Sequence, residues 1–321
     1  MDGLPREFLP STVAAKQRTL KSSIGCVGVG LHSGAKLSLT LSPAAPDSGV
    51  VFHRSDCDVF IPARYDHVVD TRLCTVIASA ERPDIRVGTI EHLMAALAGA
   101  GVGNAVVQVD GPEIPILDGS AANFAFLIEC AGIAEQAEAA PVIEILRPVR
   151  VSHSGSSAEL RPAMSEAETP GLNIDFSIAF DATAIGRQSL RFRLTPTSFR
   201  ELARARTFTL ASEVAQLRAA GLARGGSLDN AVVVDGATVL NPGGLRMRDE
   251  FVRHKMLDAI GDLALAGALL HGRFIGDRSG HALNNRLLRA LFADRANWRL
   301  APSAMRQPAP LEWSPRELQA A

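Results

Sequence analysis

The pattern of apolar and polar positions predicts a β-rich start to the chain. Strands are predicted from alternating or short apolar runs at residues 35–41, 50–52, 59–61 and 104–109. A helix is predicted over residues 89–98, because Thr89 can cap it and Gly99 stands where a helix ends. A second helical run surrounds Phe124. The first half of the chain therefore combines strands with two helices.

A similar order of elements recurs in the second half. Strands are predicted at residues 142–151, 172–180, 190–194 and 232–240, and helices at 196–203, 213–221 and 249–270. The polar, aperiodic segment 134–140 separates the halves and is taken as a domain boundary. We predict an α+β protein with two domains of similar topology. The predicted divisions are an N-terminal extension (1–17), domain one (18–135), domain two (141–300) and a Pro-rich tail (301–321).

Composition and charge exclude several classes of protein. Of 321 residues, 47% are hydrophobic and 21% charged, which excludes disorder over most of the length. The net charge of −1 argues against a nucleic-acid partner. Four scattered cysteines without a Cys-x-x-Cys pair argue against a disulfide framework and fit a reducing compartment. Neither an export signal nor a membrane span is visible, so we expect a cytoplasmic protein.

The predicted helix at 249–270 holds the most informative pattern. A helical wheel places four ionisable residues within an arc of about 100°: His254, Lys255, Asp258 and Asp262. A solvated polar face is the simpler interpretation. However, Phe251, Leu265 and Leu269 fall in the same arc, and large apolar residues among charges favour a cleft.

The spacing of His254 and Asp258 allows both side chains to bind one metal ion. They lie four residues apart, on adjacent helical turns. A catalytic zinc ion usually has three protein ligands, and His92 is the candidate for the third. Glu91 precedes it, where a carboxylate can act as general base. A capping carboxylate beside an exposed histidine is the alternative for this pair.

Two further residues have both a structural and a functional interpretation. His281 begins an amphipathic helix and is either a structural histidine or a general acid kept protonated by a carboxylate such as Asp262. Thr207 is a helix cap, a strand residue or a donor to an oxyanion. The residues alone leave these alternatives open.

Taken together, five segments resemble one known family. The segments are Thr-Ile-Glu-His-Leu (89–93), Glu-Ile-Pro-Ile-Leu-Asp-Gly-Ser-Ala (113–121), Ala-Arg-Thr-Phe (205–208), Asp-Glu-Phe-Val-Arg-His-Lys-Met-Leu-Asp (249–258) and Ser-Gly-His-Ala-Leu-Asn-Asn (279–285). In order and spacing they resemble the UDP-3-O-acyl-N-acetylglucosamine deacetylases of lipid A biosynthesis, the LpxC family. The resemblance extends from about residue 18 to 293.

The resemblance implies a zinc-dependent hydrolase that removes the N-acetyl group from UDP-3-O-acyl-N-acetylglucosamine. It implies these roles: Zn²⁺ held by His92, His254 and Asp258; Glu91 as general base; His281 supporting or protonating the leaving amine; Asp262 orienting His281; Thr207 at the oxyanion; Lys255 near the substrate's diphosphate; Phe208 at the acyl chain; and Phe180 at the nucleobase. The stretch before Phe180 lacks the acidic residue that the family often has there.

The family fold implies a small β-sheet in each domain, with the helices packed between the two sheets. It also implies a βαβ insert within residues 205–245 whose apolar side chains line an acyl passage. The proposed walls are Phe208, Leu210, Val214, Leu217 and Leu222. We expect a monomer that acts on the UDP-linked, acylated glucosamine. The alternatives are a zinc amidohydrolase for another acylated sugar or nucleotide, and a catalytically silent UDP-sugar or lipid-binding protein.

Overall fold

The computed structural model describes residues 15–164 and 170–300. The helices in these residues are α1 (Glu91–Ala100), α2 (Ala122–Ala131), α3 (Pro196–Leu202), α4 (Ala211–Ala219), α5 (Glu250–Ala264) and α6 (His281–Ala293). The strands of the first half are β1 (Lys16–Leu20), β2 (Ile24–Val29), β3 (Lys36–Pro43), β4 (Val50–Arg54), β5 (Val59–Pro62), β6 (Val68–Asp70), β7 (Val76–Ala78), β8 (Arg86–Val87), β9 (Ala105–Val109) and β10 (Ile133–Ala139). Those of the second half are β11 (Val142–Ile145), β12 (Val149–His153), β13 (Ser156–Arg161), β14 (Leu172–Ala179), β15 (Arg187–Arg193), β16 (Phe208–Leu210), β17 (Val232–Asp235), β18 (Thr238–Val239), β19 (Leu269–Asp277) and β20 (Trp298–Leu300).

The first half of the chain forms a five-stranded sheet in the order β2-β3-β9-β4-β5. Its pairs are antiparallel except for β4 and β9, which run parallel. The alternation predicted over residues 35–41 is confirmed, because Leu37, Leu39 and Leu41 of β3 are buried while the residues between them are not. A small sheet, β6-β7-β8, lies between β5 and α1 in the chain.

The second half forms a seven-stranded sheet around β19. This strand pairs parallel with β11 and β14 and antiparallel with β13. A separate three-stranded sheet contains β16, β17 and β18. Strands β16 and β17 run parallel, and α4 lies between them in the chain, so this segment is the predicted βαβ insert. The α+β fold class is confirmed.

Helices α1, α2, α3, α5 and α6 pack against one another, and α1 packs along α5. Almost every residue of both helices is buried, and apolar side chains of both halves join one core. Gly261 of α5 lies against the first residue of α1, and a Cβ at this position would overlap the carbonyl oxygen of Glu91. The two helices therefore approach each other backbone to backbone.

Several predicted element boundaries were wrong. The helix predicted over 249–270 ends at Ala264, and residues 269–277 form β19 instead. Gly267 has a φ of +80°, which a continuing helix does not allow. Thr89 is not a helix cap, because α1 begins at Glu91 and no side-chain cap is present.

The polar segment between the halves is also ordered, since most of it belongs to β10, which pairs with β1. The division into two domains remains a prediction. Residues 1–14 and the Pro-rich tail at 301–321 lie outside the described residues. No helix in the described ranges combines the length and the apolar character needed to cross a membrane.

Candidate metal centre and active site

Two helices from opposite halves of the chain bring the three predicted metal ligands together. His92 is the second residue of α1, and His254 and Asp258 lie one turn apart on α5. The Nε2 atom of His92 lies 3.5 Å from Oδ1 of Asp258, and Nε2 of His254 lies 3.3 Å from the same oxygen. All three side chains are buried. They form a group of potential metal ligands within the part of the chain that the structure describes.

The geometry and chemistry of these groups fit a tetrahedral metal ion. Two ligand atoms each about 2.1 Å from such an ion lie about 3.4 Å apart, which matches the two observed separations. Oδ1 of Asp258 is buried and has no hydrogen-bond partner. Nδ1 of His254 lies 3.0 Å from the carbonyl oxygen of Ala205. If it donates there, Nε2 keeps its lone pair for a metal.

Burial and neighbouring charges set the protonation of the ligands. Burial lowers the pKa of His254 to about 4, so its imidazole is neutral at neutral pH, the form that binds a metal. Burial alone raises the pKa of Asp258, but the positive charge of His254, when that imidazole is protonated, and of Lys255 outweighs burial and holds that pKa well below its usual range. The Nζ of Lys255 donates to Oδ2 of Asp258 at 2.6 Å. Lys255 thus holds the carboxylate through one oxygen, while both histidines lie near the other.

Glu91 lies beside the ligands, at the first position of α1. Its side chain is buried, and its Oε2 accepts a hydrogen bond from the backbone N–H of Thr75 at 3.0 Å. Burial raises the pKa of the Glu91 carboxyl, against the lowering effect of His281 and His92. A carboxylate with a raised pKa is suited to accept a proton near neutral pH.

His281 and Asp262 form a buried pair near Glu91. The Nδ1 of His281 lies 2.8 Å from Oδ2 of Asp262. The same carboxylate accepts from the hydroxyl of Thr75 at 2.6 Å and from the side-chain amide of Asn284 at 2.8 Å. Burial lowers the pKa of His281, but Asp262 and the other nearby carboxylates outweigh it and raise that pKa to about 9. His281 is therefore charged at neutral pH.

Thr207 is held in a loop before the insert. Its N–H donates to the carbonyl of Gly119 at 2.7 Å, and its own carbonyl accepts from Val232 at 2.8 Å. The preceding residue, Arg206, forms a buried ion pair with Glu250, whose carboxylate also accepts from the Arg206 backbone. This pair anchors the start of α5 to the loop that presents Thr207.

One cavity of about 360 Å³ connects these groups, a size typical of small-molecule sites. Every predicted site residue except Asp262 lines it, as do Leu31, Arg72, Leu73, Cys74, Thr89, Ile116, Thr209, Leu210 and Glu213. Phe208 stands edge-on to both Phe180 and His254, with ring centroids 5.5 and 6.2 Å apart. Of the proposed acyl-passage walls, Phe208 and Leu210 line this cavity, whereas Val214, Leu217 and Leu222 are not among its lining residues.

The sequence did not reveal several residues whose hydrogen bonds support the side chains of the site. Thr75 contacts both Glu91 and Asp262, yet it comes from β-rich sequence with no periodic signal. Asn284 lies within one of the five family-like segments, but nothing in its spacing marks it as a partner of Asp262. Glu113 opens another such segment and is buried, with its carboxylate bonded to two distant stretches of chain.

Comparisons with known proteins identify the family that the chain is similar to. A model of the family described as UDP-3-O-acyl N-acetylglycosamine deacetylase, LpxC, matches residues 17–293. The chain is 50% identical over 279 residues to the UDP-3-O-acyl-N-acetylglucosamine deacetylase of Anaeromyxobacter sp. (strain Fw109-5), covering 87% of this chain and 89% of that relative. It is 50% identical over 297 residues to the protein of the same name from Acidithiobacillus ferrooxidans, covering 91% and 95%. With the Haemophilus influenzae protein of that name, identity is 48% over 288 residues, covering 88% and 92%.

Proposed function

The chain belongs to the UDP-3-O-acyl N-acetylglycosamine deacetylase family, and from this premise we propose that it removes the N-acetyl group of a UDP-linked, 3-O-acylated glucosamine. The products are acetate and the free amine, and the step belongs to lipid A synthesis. The single observation that supports this activity in the structure is the convergence of three potential metal ligands, a buried carboxylate and a charged histidine in one cavity.

We propose that His92, His254 and Asp258 hold one zinc ion. When bound, zinc supplies Lewis acidity toward the amide carbonyl and makes a nearby water more acidic. Lys255 keeps Asp258 ionised and oriented through the second carboxylate oxygen. The carboxylate therefore stays available on the side that faces both histidines.

Glu91 is the proposed general base. Its carboxylate accepts the proton of the attacking water, and the raised pKa that burial imposes brings it closer to the operating pH. The N–H of Thr75 fixes one of its oxygens and leaves the other for the water. The base thus has one defined orientation in the cavity.

His281 is the proposed partner of the leaving amine. Because Asp262 and the surrounding carboxylates keep its imidazole charged, it can stabilise the developing amine or transfer a proton to its nitrogen. The hydroxyl of Thr207, at the edge of the same cavity, is the proposed donor to the oxyanion.

The substrate's remaining groups are assigned to the cavity rim. We propose that the insert residue Phe208 contacts the acyl chain, that Phe180 contacts the nucleobase, and that Lys255 also lies near the diphosphate. The enzyme is proposed to act as a monomer in the cytoplasm.

Acetate release from the UDP-sugar tests the activity, with metal analysis of the same sample before and after a chelator. We expect about one zinc ion per chain, loss of activity on chelation and its return on adding zinc. A panel of substrates with shortened or missing acyl chains tests the substrate. Equal rates across the panel would favour an amidohydrolase for another acylated compound. Tight UDP-sugar binding without acetate release would identify a silent binding protein.

A further inference from the structure

We propose that Glu113 is a positioning residue that holds the start of α1, and with it Glu91 and His92, against a turn formed by residues 30–34. The proposal rests on the function proposed above, because it concerns the base and one metal ligand of that reaction. Glu113 itself does not line the cavity. It acts through Thr89, which does.

The Glu113 carboxylate connects two separate stretches of chain. Its Oε1 accepts from the backbone N–H of His32 at 2.9 Å and from the hydroxyl of Thr89 at 3.0 Å. Its Oε2 accepts from the N–H and the hydroxyl of Ser33, at 2.9 and 2.7 Å. A buried carboxylate with four donors, two on each oxygen, is fully engaged by its surroundings.

Thr89 has an unfavourable backbone conformation that needs such support. Its φ is +56°, a region that is a genuine outlier for a β-branched residue. Glu91 and His92 follow only two and three residues later, without a capping side chain at the start of the helix. The bond from the Thr89 hydroxyl to Glu113 therefore restrains the chain directly before the base.

The two histidine ligands differ in what orients them. Nδ1 of His254 contacts the carbonyl of Ala205, whereas Nδ1 of His92 is buried without a hydrogen-bond partner. The orientation of His92 consequently depends on the backbone of α1 and on packing. A shift at Thr89 would be transmitted to this ligand more directly than to His254.

The turn at residues 30–34 is also hydrogen-bonded to the insert. The N–H groups of Arg224 and Gly225 donate to the carbonyls of His32 and Leu31, at 3.3 and 3.1 Å. A Cβ at Gly30 would overlap the Glu113 carboxylate, so the turn approaches the carboxylate closely. The insert, the turn, Glu113 and the start of α1 thus form one continuous series of contacts.

Four variants test the proposal with two measurements each: zinc affinity by competition with a chelator, and kcat and KM for acetate release. Thr89→Ala removes the hydroxyl, and Thr89→Ser keeps it. Ser33→Ala removes a donor from the other carboxylate oxygen. Thr19→Ala is the matched control, because it removes a buried hydroxyl on β1 that accepts from the backbone N–H of Ala44.

We expect Thr89→Ala to weaken zinc affinity and lower kcat by about tenfold or more each, the range for residues that support a metal ligand, with KM changed little. Thr89→Ser restores both quantities most of the way. Ser33→Ala has a smaller effect on both, and Thr19→Ala lowers the melting temperature only. Two additional variants, Glu113→Ala alone and Glu113→Ala combined with Thr89→Ala, should show equal losses, because removing the carboxylate already breaks the bond from Thr89.

Wild-type zinc affinity and kcat in Thr89→Ala would overturn the proposal, as would equal losses in Thr89→Ala and Thr89→Ser. Full additivity of the Glu113→Ala and Thr89→Ala effects would also contradict it. Failure of the proposed function gives a different result: the wild type releases no acetate, while zinc affinity still separates Thr89→Ala from Thr89→Ser.

Discussion

The pair of helices α1 and α5 and the insert around α4 both contribute to one cavity, but they are built differently. Nearly all residues of α1 and α5 are buried, whereas α4 has no buried residue. The proposed metal ligands and base lie on the helix pair, and Phe208 and Leu210 lie on the insert. The groups proposed for chemistry are thus held by the core, and those proposed for the acyl chain by a half-exposed element.

This difference predicts the order of mutational effects. Groups in the helix pair cannot relax when a partner is lost, because the surrounding core is close-packed. Side chains on the half-exposed insert can rearrange around a changed substrate contact. Substitutions in the helix pair should therefore affect metal binding and kcat strongly, and substitutions in the insert should affect mainly KM.

The largest effect is expected for His254→Ala, which removes a metal ligand from α5. Zinc affinity should fall by more than about 100-fold, beyond the range for residues that only support a ligand, and acetate release should fall with it. Metal analysis after dialysis measures the loss. His53→Ala is the control, since this histidine stacks on Phe60 in the first half of the chain. Unchanged metal content in His254→Ala would contradict the ligand assignment.

Next in size is Glu91→Gln, which keeps the shape of the base and removes its charge. We expect zinc to remain bound and kcat to fall about 10²-fold or more, because the water loses its proton acceptor. Steady-state kinetics combined with metal analysis separates this result from loss of the ion. Wild-type turnover at full zinc content would exclude Glu91 as the base.

An intermediate effect is expected for Asp262→Asn, measured as the pH dependence of kcat/KM. In the wild type the pKa of His281 is about 9, so activity that needs its charged form is lost as the pH rises through about 9. Without the carboxylate, the loss of kcat/KM on the alkaline side of the pH profile should occur at a pH lower by about 1 to 3 units. An alkaline limb that stays at its wild-type pH would show that Asp262 does not control His281.

The same pKa shift predicts a pH-dependent contribution to stability. The pKa is raised above the ordinary histidine value of about 6.5, so the contribution is fully present below that pH. It is lost as the pH rises from there through about 9. Asp262→Asn should therefore flatten the dependence of the melting temperature on pH over this interval.

The smallest effect is expected for Leu210→Ala in the insert. Losing part of an apolar wall costs on the order of 1 kcal/mol, so KM for a long-chain substrate should rise about fivefold with kcat nearly unchanged. Leu217→Ala is the matched control, because Leu217 lies on α4 and is not among the cavity-lining residues. A large fall in kcat for Leu210→Ala would show that the insert also supports the chemistry.

The sequence predicted the groups that depend on local spacing. His254 and Asp258 lie one helical turn apart, so their convergence follows from helix geometry alone. The βαβ insert was expected from the family resemblance, and its position is confirmed. The strand at β3 was predicted because its apolar residues alternate over a half-buried sheet.

The sequence did not predict features that depend on distant partners. The residues after Ala264 suit a helix or a strand by periodicity, and the pairing of β19 with β11, β13 and β14 decides between them. Similarly, β10 has weak strand propensity and forms because β1 lies beside it. Thr75 reaches Asp262 across 187 positions of sequence, a contact that no local pattern encodes.

Gly261 shows that a missing side chain can control how closely two helices approach each other. The hydrogen atom it carries in place of a methyl group lets the α5 backbone rest directly on the carbonyl of Glu91. Even alanine here would push the helices apart, separating the proposed base and His92 on one helix from His254 and Asp258 on the other. Gly261 therefore sets the distance between the two helices that carry the proposed catalytic groups, although its own side chain is a single hydrogen atom.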